Sequence, residues 1–146
     1  MNARATRLFS DYAAAHSAPG NRACHAAGIP LIVFSLVLAL TRIPVASGPW
    51  AAAEPVIVLA TLAAVAIDAA PAAVFFVFLA ASDLVSRAIP AWTSPAFALA
   101  LAAGLFAGGW VFQLVGHAVY EKNRPAFLRN LAHLLIGPLW IARKLV

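Results

Sequence analysis

The chain of 146 residues has room for one domain. It is 64% hydrophobic and 10% charged, whereas a soluble domain is nearer half apolar and roughly a quarter charged. A water-soluble bundle of this size would leave too much apolar surface exposed. The net charge of +5 comes from basic residues flanking apolar runs, which fits membrane topology rather than nucleic-acid binding.

In chain order, residues 1–25 are polar and carry Arg4, Arg7, Asp11, His16, Asn21, Arg22 and His25. They lack the apolar core of a secretory signal, so they read as a cytoplasmic N-terminal segment before a span that serves as its own insertion signal. Pro19-Gly20 breaks any helix there, and Asn21 is placed to cap the next one. Apolar runs then predict spans at about 26–41, 51–67, 70–84 and 95–120. The middle two flank Asp68-Ala69-Ala70-Pro71 and read as a hairpin, with one kinked helix as the alternative. Gly104 and Gly108 are spaced for close helix packing. Residues 121–146 form a cytoplasmic or interfacial segment. Its apolar stretch 131–142 is interrupted by Gly137-Pro138 and is too short to cross a bilayer, and Trp140 suits an interface anchor.

The expected fold class is therefore all-α: a single polytopic membrane domain over 1–146, with about four transmembrane helices and an interfacial or re-entrant C-terminal segment. Three basic residues precede the first span, and five follow the fourth: Lys122, Arg124, Arg129, Arg143 and Lys144. The positive-inside bias puts both termini in the cytoplasm, and a bacterial-type inner membrane is the expected location. The single Cys24 excludes an internal disulfide framework.

The chemistry-bearing residues gather on the cytoplasmic side. Gln113, His117 and Glu121 are spaced i, i+4, i+8, one stripe on a helix that Pro125 would end. Ionisable groups in a span normally face a bundle interior or cavity and mark function; a stripe that glues helices together is the alternative. His16 and His25 straddle the Pro-Gly break. Imidazole is the commonest protein metal ligand, so His16, His25 and His117, with His133 from the C-terminal segment, are the candidate ligands. Asp83 and Arg87 read as an i, i+4 pair at the opposite interface.

At these residues the sequence resembles a known family. One block reads Tyr12, His16, Asn21, then His25, Gly28 and Pro30; a second reads Trp110, Gln113, Gly116, His117, Tyr120 and Glu121, with Pro125-Ala126 following; a weaker third is Gly137-Pro138-Leu139. The pattern is similar to the small membrane proteins grouped with the 2-hydroxy fatty acid dioxygenases of lipid α-oxidation, formerly a domain of unknown function. The resemblance implies an Fe(2+)-dependent dioxygenase that uses O2 to shorten a 2-hydroxy fatty acid by one carbon. It would work at the cytoplasmic face of the lipid bilayer. It implies metal ligation by His16, His25, His117 and His133, and a catalytic role for His117 and Glu121. Substrate contacts would come from Tyr12, Asn21, Arg22, Gln113 and Arg124. A homo-oligomer is left open.

Two other readings use the same residues. Histidines with a glutamate also suit a zinc-dependent lipid hydrolase. A small transporter could line a path with Gln113, His117 and Glu121, although such sites usually lie near the bilayer midplane.

Overall fold

Prolines mark the start of two long helices in the computed structural model, which describes residues 3–45, 50–89, 94–122 and 132–146. Proline is pre-organised for a first helical turn because its φ is fixed and its missing N–H would have no intrahelical partner there. Pro19 opens helix α2 (Pro19–Leu40) and Pro95 opens α5 (Pro95–Val115). Ser94 caps α5, its Oγ accepting from the Phe97 N–H at 3.2 Å. The other helices are α1 (Ala3–Ala14), α3 (Ala53–Val65), α4 (Ala69–Ala88) and α6 (His133–Ala142), and α5 continues as a π-helical turn over Gly116–Glu121.

Among the described residues, three segments are long and apolar enough to cross a membrane: Pro19–Leu40, Ala69–Ala88 and Pro95–Glu121. The segment expected as the second span forms the 13-residue α3, only ~20 Å long at 1.5 Å per residue. It packs beside α4, so the kinked-helix alternative falls and the hairpin stands. Asp68 occupies the N-cap position of α4 with extended backbone (φ −158°, ψ 117°), without a side-chain cap bond.

The outside is far more apolar than that of a soluble bundle. Leu59, Leu62, Val77, Leu84 and Val111 are exposed, while buried positions hold small residues such as Ala64, Ala72, Ala98 and Ala102, and polar ones such as Ser35, Ser82 and Gln113. Lipid tails are as apolar as leucine, so helices in a bilayer associate through close packing and hydrogen bonds.

α2 and α5 make the central pair. The expected Gly104/Gly108 packing motif is not what joins them: a Cβ at either glycine would meet nothing within 4 Å. The close approach uses Gly28 and Gly109. A Cβ on Gly28 would lie 2.7 Å from the Gly109 carbonyl oxygen, and one on Gly109 would lie 2.9 Å from the Gly28 carbonyl oxygen. Glycine is the residue that lets two backbones touch in this way.

At one end of the bundle, Arg87 pairs with Asp83 at 2.9 Å and with Glu54 from α3, and Arg42 donates to the Ser86 carbonyl. The expected Asp83–Arg87 pair is thus part of a lock between α2, α3 and α4. Its member just past α2, Arg42, lies 17 residues along from His25, ~26 Å on a helix.

The opposite end holds the short elements. Ala5, Phe9 and Tyr12 bury one face of α1, while Arg4, Arg7 and Asp11 stay outside. α1 lies on α6, where the Arg143 guanidinium sits 4.9 Å above the Phe9 ring. α6 runs straight through Pro138, so the expected Gly-Pro interruption does not break it. Its 10 residues make ~15 Å, half a bilayer core.

Candidate metal centre

Three histidines from three segments meet at this end. His16 comes from the turn after α1, His25 from the second turn of α2 and His117 from the π-helical turn. All three are buried, with 2–3% of their surface exposed. Ring centroids are 4.3 Å apart for His16–His25, 4.9 Å for His16–His117 and 4.8 Å for His25–His117. One ring nitrogen of each lies within 4.8 Å of the others.

The backbone fixes how two of these rings present themselves. His16 Nδ1 lies 2.6 Å from the Tyr12 carbonyl and His25 Nδ1 lies 3.0 Å from the Asn21 carbonyl. A carbonyl only accepts, so each Nδ1 carries the proton and each Nε2 keeps its lone pair. The two Nε2 atoms face each other at 3.0 Å. In that tautomer no hydrogen bond can join them, and two lone pairs at this distance repel unless a cation lies among them. His117 Nδ1 is buried with no hydrogen-bond partner among the described residues, an arrangement that ordinarily costs about 1–3 kcal/mol. Burial pushes the His16 imidazole down to about 4, so it is neutral near pH 7 and able to ligate. The donor set therefore fits a divalent first-row metal that accepts imidazole.

The surroundings hold this geometry. Asn21 is fully buried, and its Oδ1 would lie 2.3 Å from a Cβ on Gly116, so Gly116 makes room for it. The N-cap of α2 is Ala18, and Asn21 lies inside the helix, which corrects the expected capping role. Glu121 caps instead, from another segment: its carboxylate accepts the Ala18 N–H at 2.6 Å and the Ser17 hydroxyl at 3.1 Å. A negative charge suits a helix N-terminus, and these bonds pin the His16 turn to the His117 turn. The expected α-helical stripe is altered in consequence. The π-helical turn covers Gly116–Glu121 and ends at Lys122 in the left-handed region (φ 52°), before Pro125. π-turns of this kind recur at functional sites.

A cavity of about 80 Å³ opens onto the cluster, its walls including Tyr12, Trp110, Gln113, His133 and Leu134. The Tyr12 ring stacks on His16 at 4.0 Å and meets His133 edge-on at 5.7 Å. Burial raises the Tyr12 phenol above its ordinary range, so it remains a hydroxyl donor. Its oxygen would lie 2.9 Å from a Cβ on Gly137, which explains the glycine of the third block. Gln113 Nε2 is buried without a hydrogen-bond partner among the described residues. His133 lies on the cavity wall, outside the three-histidine group. Arg22 is exposed and is not part of the wall. Arg124, with Pro125 and Ala126, lies outside the described residues.

Sequence reasoning missed two parts of this site. α1 carries Tyr12 and leads into the His16 turn, and its signal was the helical spacing of Ala5, Phe9 and Tyr12. Trp140, read as an anchor at the bilayer surface, packs behind the site at 5.5 Å from Tyr12 and 6.0 Å from His16, with Lys144 3.6 Å over its ring.

Fold and site together define a class: an all-helical protein with three membrane-length helices and a buried cluster of three histidines at one end of the bundle. Residues 3–146 match the family described as Mpo1-like, 2-hydroxy-palmitic acid dioxygenase, and the chain belongs to that family. It is similar to the 2-hydroxy-palmitic acid dioxygenase MPO1 of Saccharomyces cerevisiae, 54% identical over 39 residues. That match covers 26% of this chain and 22% of the yeast protein. No solved structure matches.

Proposed function

We propose that the chain is an iron(II)-dependent dioxygenase that shortens 2-hydroxy fatty acids by one carbon at the cytoplasmic membrane interface. The observation that carries this reading is the convergence of His16, His25 and His117 nitrogens beside a cavity, in a member of a family described as a 2-hydroxy-palmitic acid dioxygenase. Iron(II) held by imidazoles, with positions left open, would supply O2 activation and would chelate the hydroxyl and carboxylate of the substrate.

The chain's own residues do the rest. The Tyr12 and Asn21 carbonyls hold the His16 and His25 rings in one tautomer with Nε2 inward. Tyr12 and Gln113 offer an O–H and an N–H to the polar end of the substrate. Arg22 and Arg124 are proposed as carboxylate partners, since guanidinium pairs with carboxylate bidentately. His133 meets the Tyr12 ring edge-on and lines the same cavity. The histidine end carries Arg4, Arg7, Arg22, Lys122, Arg143 and Lys144, and the positive-inside bias makes it cytoplasmic.

Glu121 is assigned a positioning role. Its carboxylate is spent on Ser17 and Ala18, and hydrogen bonds to a charged group are worth about 1.5–3 kcal/mol. Glu121→Ala is expected to keep the helices but lower iron affinity by about 10–100-fold, the usual loss when a partner that orients a metal ligand is removed. Glu121→Gln should recover part of it, because one amide oxygen still accepts. Competition titration against a chelator reads this; equal affinity in all three proteins would rule the clamp out.

The activity is tested by O2 uptake with 2-hydroxypalmitic acid, with mass spectrometry of the product. Uptake with a product one carbon shorter supports the reading. Ester or amide cleavage without O2 uptake would replace it with the hydrolase alternative.

A further inference from the structure

A head group fits the histidine cavity, but a long acyl chain does not. Its 80 Å³ holds roughly half a dozen waters. A second cavity of about 190 Å³ lies between α2, α4 and α6, with an almost wholly apolar wall that includes Val74, Phe75 and Phe78. The two cavities share Ile29, Val33 and Pro138. Ile29 and Val33 stand one and two turns beyond His25 on the same face of α2, so a chain that starts at the histidines meets this neck next.

We propose that the second cavity receives the acyl tail of the substrate through the Ile29–Val33–Pro138 neck, and that Phe75 and Phe78 at its α4 wall set the longest chain accepted. The proposal rests on the dioxygenase reading for the head group. Three features favour a fatty tail over another occupant: the wall residues shared with the histidine cavity, the otherwise apolar wall and the position of the cavity between α2, α4 and α6. Pro138 also contributes to the neck through its backbone. Its ring displaces a helical hydrogen bond to the Leu134 carbonyl, and Leu134 lines the histidine cavity.

Two substitutions act in opposite directions. Ala142 lines the second cavity and is absent from the wall of the first, so Ala142→Phe fills the tail space alone. Phe78→Ala enlarges it. Two readouts are taken on the full chain in lipid nanodiscs. One is the kcat/KM ratio for 2-hydroxypalmitic over 2-hydroxydecanoic acid. The other is displacement of a fluorescent fatty acid by palmitic acid, which lacks the 2-hydroxyl.

Ala142→Phe is expected to lower the ratio and weaken palmitic acid binding roughly ten-fold each, the equivalent of about two methylenes no longer buried. Phe78→Ala should move the ratio toward longer acids. Wild-type ratios in both variants, or palmitic acid binding unchanged by Ala142→Phe, would overturn the proposal. If no 2-hydroxy acid is turned over but Ala142→Phe still weakens palmitic acid binding, the tail cavity stands and the dioxygenase reading falls. If Ala142→Phe fails to fold, Phe78→Ala and Val74→Trp carry the same comparison.

Discussion

Gly28→Leu is expected to yield protein without bound metal or turnover, while Gly104→Leu keeps both. Gly28 sits one turn beyond His25, where α2 presses against α5. A Cβ there would be 2.7 Å from the Gly109 carbonyl oxygen and 2.5 Å from Gln113 Nε2. The Gln113 amide could swing away, but a helix backbone cannot. Inserting a few methylenes into a packed contact costs about 1–3 kcal/mol and sometimes more, and here it separates the two helices that carry His25 and His117. Gly104 faces open space, so leucine there adds only apolar surface toward lipid. Metal per chain and size-exclusion profile measure both. A Gly28→Leu protein that binds metal like wild type would show that the α2–α5 contact does not set the site.

Turnover in His25→Ala is expected to drop below about one per cent of wild type, because even a residue that merely orients a metal ligand is worth about 10–100-fold and His25 is proposed as a ligand itself. The loss compounds inside the protein. His25 Nε2 lies 3.0 Å from His16 Nε2, so removing one ring leaves the other lone pair facing a void. His133→Ala should retain activity within roughly ten-fold, since His133 stands outside the three-histidine group, edge-on to Tyr12. Steady-state rates with 2-hydroxypalmitic acid decide between them. Equal losses in the two variants would make His133 a fourth ligand and redraw the site.

Much of this arrangement was legible in the sequence. Composition gave the membrane-type all-helical class, because 64% apolar residues cannot be hidden in so small a soluble fold. The histidine positions beside Pro-Gly and ahead of a helix end pointed to one shared end of the bundle. Other features depend on contacts between segments, and these leave little trace in a linear pattern. The GxxxG spacing of Gly104 and Gly108 looked like a packing motif, yet the working glycines are Gly28 and Gly109, 81 positions apart. Helical periodicity put Glu121 in one stripe with Gln113 and His117, and the resemblance implied a catalytic role for it. The π-helical turn changes that periodicity, and the carboxylate goes to the N-terminus of another helix. The span expected at about 51–67 forms a helix of only 13 residues, and Ala66 and Ile67 lead into the Asp68 turn. α6 ignores the Gly137-Pro138 signal because proline there lines a cavity wall and glycine admits the Tyr12 hydroxyl.

The most direct test of the account is anaerobic metal analysis of the detergent-purified protein beside His16→Ala and His117→Ala. These residues lie 101 positions apart in the chain, so a metal lost from both variants would join two distant segments in one centre. Near-stoichiometric iron that disappears from both variants is the predicted result. Iron or any other metal retained equally in both would contradict the three-histidine site.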